Sequence, residues 1–507
     1  MAKRVFSNQD RGVASRIAEI VYCNPFEGRR WELEREVLNE DFKEPEWYVG
    51  IGDSRELLVP NLEKLLFIAK SLLDTARSKI SNGAGEWLDA DKDIYQSLTH
   101  FVAFHEVMSD FDDTIENMLC GGQIGGRIGY FAKCRDILRY YLNTDDSLRL
   151  SKDEEGQYFA FYFQLRRAWV TIFKFIVGRS DGMRKLRARI WQSSFTKDIK
   201  RYQRSLYDRM GDIVTLITGP SGSGKELVAR AVGLSRFVPF DPIKMEFAVD
   251  ISKVFLPINL SALSPTLIES ELFGHKKGAF TGALQDRRGY FEECGRYGTV
   301  FLDEIGETDP SIQVKLLRVL QTRQFQRLGD TSSHPFVGKV MAATNRELPR
   351  EIEEGRFRED FYFRLCADRI NTPSLAELIS GSSDELECFV SYIAYRVAGK
   401  TECADLTEES CSWIRKKMDP SYAWPGNFRE LEQCVRNILV SGEYNPETFN
   451  CPEKAQCIEN ATRSKMTASE LLQSYAQVLY KEQRSYEEVA KILQVDRRTA
   501  KRYVVGD

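Results

Sequence analysis

The chain has 507 residues, 42% of them hydrophobic and 29% charged, and a formal net charge of −4. This is the balance of globular domains with buried cores, and it excludes a polycation, so contact with nucleic acid must come from a local basic patch. The 11 cysteines are scattered, form no CxxC pair and have no histidines at metal-ligand spacing, which reads as reduced thiols in a cytosolic protein.

At roughly 150 residues per domain the length predicts about three domains. The start, MAKRVFSNQDRGVASR, has no apolar signal core. Residues 1–190 read as a mostly helical domain. Residues 56–80 and 134–150 carry apolar side chains at helical spacing, with Gly-rich breakers between such segments. Gly121, Gly122, Gly125 and Gly126 follow no clear strand and read as a connector rather than a phosphate loop. The most apolar stretch, 159–178, is interrupted by Arg166, Arg167 and Lys174. Three such charges argue for a buried amphipathic helix and against a membrane span.

Residues 191–374 change character. DIVTLITG, TVFLDEIGE and KVMAATN are short apolar, β-branched runs with long helical segments between them. They predict parallel strands of a doubly wound α/β sheet. After the first strand comes GPSGSGKE: Gly219, Pro220, Ser221, Gly222, Ser223, Gly224, Lys225 and Glu226. Glycines let such a loop curl its N–H groups toward phosphate oxygens, the following helix adds its dipole, and Lys225 reaches the β- and γ-phosphates. The general pattern has Ser or Thr where Glu226 stands. The second strand ends in Asp303 and Glu304, at the edge where α/β sheets bind ligands. Asp303 can hold Mg2+ through water, and Glu304 can polarise the attacking water. Thr344 and Asn345 end the third strand and can sense a γ-phosphate. GRFREDFYFRL supplies Arg356, Arg358 and Arg364, of the charge that phosphoryl transfer needs.

Residues 375–445 read as a helical lid. Asn427 followed by Glu430 predicts a capping box. Arg429 then stands in the first turn, where a cation opposes the helix dipole unless an anion is near. A polar linker at 446–463 leads to a helical segment at 464–507. There, Ala490, Leu493 and Val495 fit the buried positions of a helix-turn-helix, and Arg497, Arg498, Thr499, Lys501 and Arg502 load its second helix with donors for phosphates and base edges.

The motifs GPSGSGKELVARAVG, ESELFGHKKGAFTGA, GTVFLDEIGE, QVKLLRVLQTRQFQRLG, AATNREL, GRFREDFYFRL and WPGNFRELE stand in this order. The chain thereby resembles the bacterial enhancer-binding proteins, AAA+ ATPases that activate sigma-54 RNA polymerase. Glu after the loop lysine is what that family has. The resemblance implies an α/β AAA+ core with ATP and Mg2+ as cofactors. It implies that Asn259 is a switch holding the catalytic Glu304, that Arg358 and Arg364 are fingers reaching into a neighbouring subunit of a ring, usually a hexamer, and that Arg429 senses nucleotide. It implies that the hexapeptide Gly278, Ala279, Phe280, Thr281, Gly282 and Ala283 is the pore loop that touches sigma-54, with Arg327 in a second pore loop. It also implies a C-terminal reader of double-stranded DNA at an upstream site.

Departures from the family pattern are a longer segment at 236–259, AELISGSS where the family has RER, and an N-terminal zone without the acidic pair of a receiver domain. That zone is expected to bind an unidentified signal. A cytoplasmic transcriptional activator is the leading reading. A AAA+ protein remodeller or unfoldase without a promoter role is the alternative, and the uncharged hexapeptide argues against it because unfoldase pores carry an aromatic–hydrophobic–Gly loop.

Overall fold

The computed structural model describes residues 3–44, 60–83, 85–122, 126–380, 383–446, 467–483 and 485–505. The predicted linker lies outside these residues except for its first, as do Gly125, Cys451 and Cys457. The chain divides into two compact units, Met1–Gly442 and Glu443–Asp507. Among the described residues every cysteine is free, no helix is long and apolar enough to cross a membrane, and no group of three metal-ligating side chains forms.

Among the described residues the first unit begins with eight α-helices: α1 (Asn8–Ile20), α2 (Gly28–Leu38), α3 (Leu62–Ser81), α4 (Asp89–Glu106), α5 (Met108–Leu119), α6 (Phe131–Leu142), α7 (Lys152–Phe175) and α8 (Asp181–Phe195). Helix α7 is the apolar stretch of the sequence. A capping box starts it, with Ser151 accepting from Glu154 N while the Glu154 side chain accepts from Ser151 N. Its three charges are accommodated separately. Arg166 forms a bidentate pair with buried Asp112 at 2.6 and 2.8 Å, Arg167 donates to the Arg236 carbonyl, and Lys174 is exposed. Helix α8 runs across residues 190 and 191, so the helical segment and the α/β core share it.

Five parallel strands follow: β1 (Thr215–Thr218), then, after the two-residue hairpin strands β2 (Phe240–Asp241) and β3 (Glu246–Phe247), β4 (Phe255–Asn259), β5 (Thr299–Asp303), β6 (Lys339–Thr344) and β7 (Asp368–Asn371). Their order is β7-β1-β6-β5-β4. The three central strands are those the apolar runs predict. The edge strands β4 and β7 have one neighbour each. The sheet packs its buried Leu216, Val300, Leu302 and Val340 against Ile312, Leu316 and Phe361 of α11 (Pro310–Thr322) and α12 (Glu359–Leu365). Helices α9 (Lys225–Gly233) and α10 (Pro265–Phe273) complete the core. This is the α/β AAA+ core expected from the sequence. Over it lie α13 (Leu375–Ile379), α14 (Ser383–Lys417, broken at Gly399) and α15 (Asn427–Ser441).

The longer segment at 236–259 has a structural use. Its β2–β3 hairpin inserts two rings into the N-terminal helices. Phe240 lies 4.5 Å from Phe159 and 4.9 Å from Phe131, and Phe247 lies 4.7 Å from Phe163. The hairpin rests on Gly156 of α7, where a Cβ would stand 3.0 Å from the Phe240 carbonyl oxygen. The helices and the core are thus held by one aromatic cluster.

Among its described residues the second unit has three helices, α16 (Ala468–Gln483), α17 (Tyr486–Leu493) and α18 (Arg497–Val505). They close on Ala476, Leu479, Val489, Ala490 and Ala500, with Leu493 and Val495 packed against that core.

Phe240→Ala should lower unfolding stability by ~3–5 kcal/mol, the range for emptying an aromatic site. Urea unfolding of the full chain measures it. A loss below ~1 kcal/mol would mean that the hairpin does not help hold the two segments together.

Candidate functional site

The loop at 219–224 is shaped by its glycines. Gly219, Gly222 and Gly224 have φ of 149°, 72° and 88°, a region that only glycine adopts freely. Side chains are also excluded by contact. A Cβ on Gly219 would lie 2.0 Å from Thr372 Oγ1, and one on Gly222 would lie 2.4 Å from the Gly426 carbonyl oxygen. Ser223 Oγ donates to Pro220 O at 2.7 Å and shares a 2.6 Å hydrogen bond with Thr372 Oγ1. The loop is therefore gripped by the end of β7 on one side and the start of α15 on the other.

Lys225 opens α9. Its Nζ donates to the carbonyls of Gly219 and Pro220, both at 3.1 Å. Burial lowers its pKa, and Glu304 and Asp303 across the cleft oppose that. Burial raises the pKa of Asp303. Each group is thus a desolvated charge facing its opposite, the arrangement found where pKa values are tuned. Glu304 has φ of 54°, uncommon for a residue with a side chain, and its Oε2 accepts from Asn345 N at 3.3 Å. Thr344 is turned inward, accepting from Arg346 N at 3.0 Å.

Asn259 stands beside Asp303 in the β4–β5 register. Its Oδ1 accepts from the N and Oγ of Ser261 at 2.9 and 2.8 Å. Among the described residues no hydrogen bond joins Asn259 to Glu304. The switch contact expected between them is not made here, because Asn259 closes its own turn and Asn345 holds the carboxylate.

The cleft over this loop has a volume of about 350 Å3. One end is polar, with Lys225, Glu226, Asp303, Glu304 and Arg429. The other is apolar, with Phe175 at the end of α7, Ile176 and Val177 after it, Met183 and Leu186 of α8, and Phe389 and Ile393 of α14. Glu385 of α14, fully buried, accepts from Arg179 N, Ser180 N and Ser180 Oγ at 2.6, 3.0 and 2.8 Å. That bond set ties the segment between α7 and α8 to the lid.

The predicted capping box at Asn427 is not formed. Asn427 has φ of 51° and is the first residue of α15, with Gly426 as its cap. Its side chain bridges instead: Oδ1 accepts from Leu375 N at 2.8 Å and Nδ2 donates to the Ser221 carbonyl at 3.0 Å. Glu430 does reach back, but to Gly426 N at 2.8 Å and Tyr422 Oη at 2.6 Å. Phe428 N donates to Gly222 O at 3.1 Å, and Arg429 reaches Ser221 Oγ at 3.4 Å. The start of α15 is thus a clamp on the loop.

The hexapeptide closes on itself. Gly278 N donates to Ala283 O at 2.9 Å and Ala283 N to Phe280 O at 3.0 Å. Asp286 clasps the base, pairing with Lys276 Nζ and accepting from Lys277 N, both at 2.9 Å. Phe280 sits edge-on to buried His275, ring centroids 5.0 Å apart, while Thr281 and Leu284 are exposed. Arg327 is not a free basic group. It pairs with Glu292 at 2.6 and 3.0 Å and anchors the neighbouring loop, in which Gly329 lies against Ala279.

The family described as the sigma-54 interaction domain matches residues 191–371. Residues 191–371 are a sigma-54 interaction domain. Over this segment the chain is similar to regulators of the bacterial enhancer-binding protein family. The chain is 42% identical over 228 residues to the Nif-specific regulatory protein of Azotobacter vinelandii, covering 45% of this chain and 40% of that protein. It is 42% identical over 231 residues to the hydrogenase transcriptional regulatory protein HoxA of Bradyrhizobium diazoefficiens, covering 45% and 43%. The chain thus spans less than half the length of these relatives. A crystal structure of NtrX from Brucella abortus in complex with ATP is 22% identical, with a TM-score of 0.40 over 70% of this chain and 76% of that one.

Within the sigma-54 interaction domain, Arg358 and Arg364 stand apart from the cleft. Arg358 pairs with Asp360 at 2.7 and 3.0 Å. Arg364 is exposed and has no ion-pair partner among the described residues. In the second unit, Asp496 caps α18, accepting from Arg498 N and Thr499 N at 2.9 and 3.0 Å. Thr499 Oγ1 donates to Asp496 at 2.6 Å, so its donor is used by the cap. Arg497, Arg498, Lys501 and Arg502 are exposed.

Three elements of the site escaped the sequence reading: Thr372, Asn427 as a bridge, and the wall at 175–186. Each acts through the fold rather than through a local pattern. Asn427→Ala should leave Leu375 N and Ser221 O without partners and destabilise the junction by ~1–3 kcal/mol. Hydrogen exchange at 375–379 and 427–431 reads it: faster exchange confined to the junction is expected, and unchanged exchange would remove Asn427 as its tie.

Proposed function

We propose that the chain is an ATP-driven activator of sigma-54 RNA polymerase. The observation that carries this reading is Lys225 facing Asp303 and Glu304 across a curled glycine loop, inside a sigma-54 interaction domain. The apolar end of the cleft takes the base, and the loop N–H groups, with Arg429, take the phosphates. Lys225 exchanges the carbonyls of Gly219 and Pro220 for phosphate oxygens. Asp303, with Glu226 beside it, is an oxygen donor set that suits hydrated Mg2+, whose charge would offset that of the phosphates when bound. Glu304, aimed by Asn345, orients the attacking water.

Arg358 and Arg364, both exposed and outside the cleft, act on the site of a neighbouring copy in a ring, a hexamer by family resemblance. Asn259, next to Asp303 in register, is the residue that exchanges Ser261 for Glu304 as the nucleotide changes. The hexapeptide from Gly278 to Ala283 contacts sigma-54 through Phe280 and the exposed Thr281. The exposed Arg497, Arg498, Lys501 and Arg502 bind double-stranded DNA at an upstream site, and Thr499 stiffens the start of that helix. The setting is the cytoplasm, and the N-terminal helices receive the signal.

Lys225→Ala should abolish ATP binding. Glu304→Gln should still bind ATP and lose about 10^2- to 10^4-fold in turnover, the range for removing a general base. Mixing Arg364→Ala with Lys225→Ala protein should restore part of the turnover at mixed interfaces. Mixed rings that form without any rescue would place the arginines outside the neighbour's site.

Thr281→Ala removes one exposed hydroxyl and nothing near the cleft. It should retain ATP turnover and lose capture of sigma-54 in the presence of an ATP transition-state mimic, both read on one preparation. Loss of both activities would make the hexapeptide a structural part of the motor. Retention of both would remove it from contact with sigma-54.

A further inference from the structure

A second, smaller cavity of about 70 Å3 lies in the N-terminal helices. Its walls are Tyr22 beyond α1, His100 and Phe104 of α4, Tyr162 and Trp169 of α7, and Trp191 of α8. No residue of the phosphate loop, the hexapeptide or α18 takes part. It is aromatic on most sides, and its charges cancel locally. Arg166 is paired with Asp112 at 2.6 Å and Arg30 with Glu34 at 2.8 Å. Burial holds His100 and His105 at pKa values of about 3, so both are neutral. One polar group on its wall lacks a partner among the described residues: Trp191 is 4% exposed and its Nε1 donates to none of them. A buried donor without an acceptor is uncommon in folded proteins and calls for an explanation.

The cavity shares its walls with the nucleotide cleft. Helix α7 gives Tyr162, Leu165 and Trp169 to the cavity, and the chain leaving its C-terminus gives Ile176 and Val177 to the cleft. Helix α8 gives Met183 and Leu186 to the cleft and Trp191 to the cavity. From Trp169 to Phe175, and from Leu186 to Trp191, is about 8–9 Å of helix at 1.5 Å per residue. Arg187 bolts the two helices at that point, its Nε donating to Ile176 O at 2.9 Å and its Nη2 to Gly178 O.

We propose that this cavity is the effector site of the N-terminal helices, that it takes a small uncharged heteroaromatic ring whose acceptor pairs with Trp191 Nε1, and that α7 and α8 carry its occupancy to the nucleotide cleft. The coupling half rests on the ATP reading above; the binding half does not. Size limits the ligand. The cavity is about half the ~150 Å3 of an apolar cavity that admits benzene, so a five-membered ring is the natural probe. Coupling follows because a ring wedged between Trp169 and Trp191 displaces helix ends that also shape the apolar end of the cleft. Such coupling is reciprocal.

The test uses the full chain and four small probes: oxazole, furan, acetate and guanidinium. Ligand-observed NMR without nucleotide should show oxazole binding roughly fivefold tighter than furan, the worth of one hydrogen bond. Acetate and guanidinium should not bind. Trp191→Phe keeps an aromatic wall and removes the donor, and should abolish the preference for oxazole over furan. Equal binding of oxazole and furan to the unmodified chain, which needs no variant, would overturn the site, as would binding of either ion as tightly as oxazole. Saturating oxazole should then change ADP affinity about fivefold or more, and ADP should change oxazole affinity by the same factor. Unchanged ADP affinity with the cavity filled would overturn the coupling. Failure of ADP to bind at all would overturn the ATP reading and leave the binding half standing on its own arm.

Discussion

The grip on the backbone of the loop at 219–224 is the constraint on which the rest of the site depends. Thr372 holds it from the sheet side, and Asn427 and Phe428 hold it from the lid side. Only glycine at Gly219 and Gly222 permits both approaches. Because the loop carbonyls and N–H groups are fixed this way, Lys225 is delivered to a point facing Asp303 and Glu304, and the strain at Glu304 has surroundings rigid enough to maintain it.

From that point the chain offers a short path outward. Strand β4 ends at Asn259 beside Asp303, α10 follows, and the hexapeptide begins five residues beyond the helix's last residue, Phe273. The base of the hexapeptide is hydrogen-bonded to the strand-like segment at 287 and to the loop at 328. The tip is free of charge and exposes Thr281 and Leu284. On the other side of the cleft, Glu385 joins the lid to the segment at 178–180, and the β2–β3 hairpin joins the core to α7. The α/β core is therefore bound to the N-terminal helices by an inserted aromatic hairpin and by a shared wall of the cleft.

What could be read in the sequence follows burial. β1, β5 and β6 are covered on both faces and were legible as apolar runs. Strands β4 and β7 were not, because edge strands tolerate what central ones do not. β4 carries Pro257, and β7 is Asp368, Arg369, Ile370 and Asn371, with only Ile370 buried. The phosphate loop and the Asp303–Glu304 pair were legible because their chemistry dictates a local pattern. Asn427 was misread as a helix cap because its partners, Leu375 N and Ser221 O, are distant in sequence. Asn259, Thr499 and Arg327 were assigned by type and motif, and the structure engages them with Ser261, Asp496 and Glu292. The cavity beside Trp191 had no signature at all, since residues from five separate segments line it.

The central claim is that ATP hydrolysis in this chain is converted into work on sigma-54 RNA polymerase. Permanganate footprinting of a sigma-54 promoter with its upstream site, purified chain and sigma-54 holoenzyme tests it most directly. The account predicts reactive thymines in the start region with ATP, none with a non-hydrolysable analogue, and none on a promoter served by another sigma factor. Melting that proceeds without hydrolysis, or an ATPase-active protein that never melts the sigma-54 promoter, would contradict it.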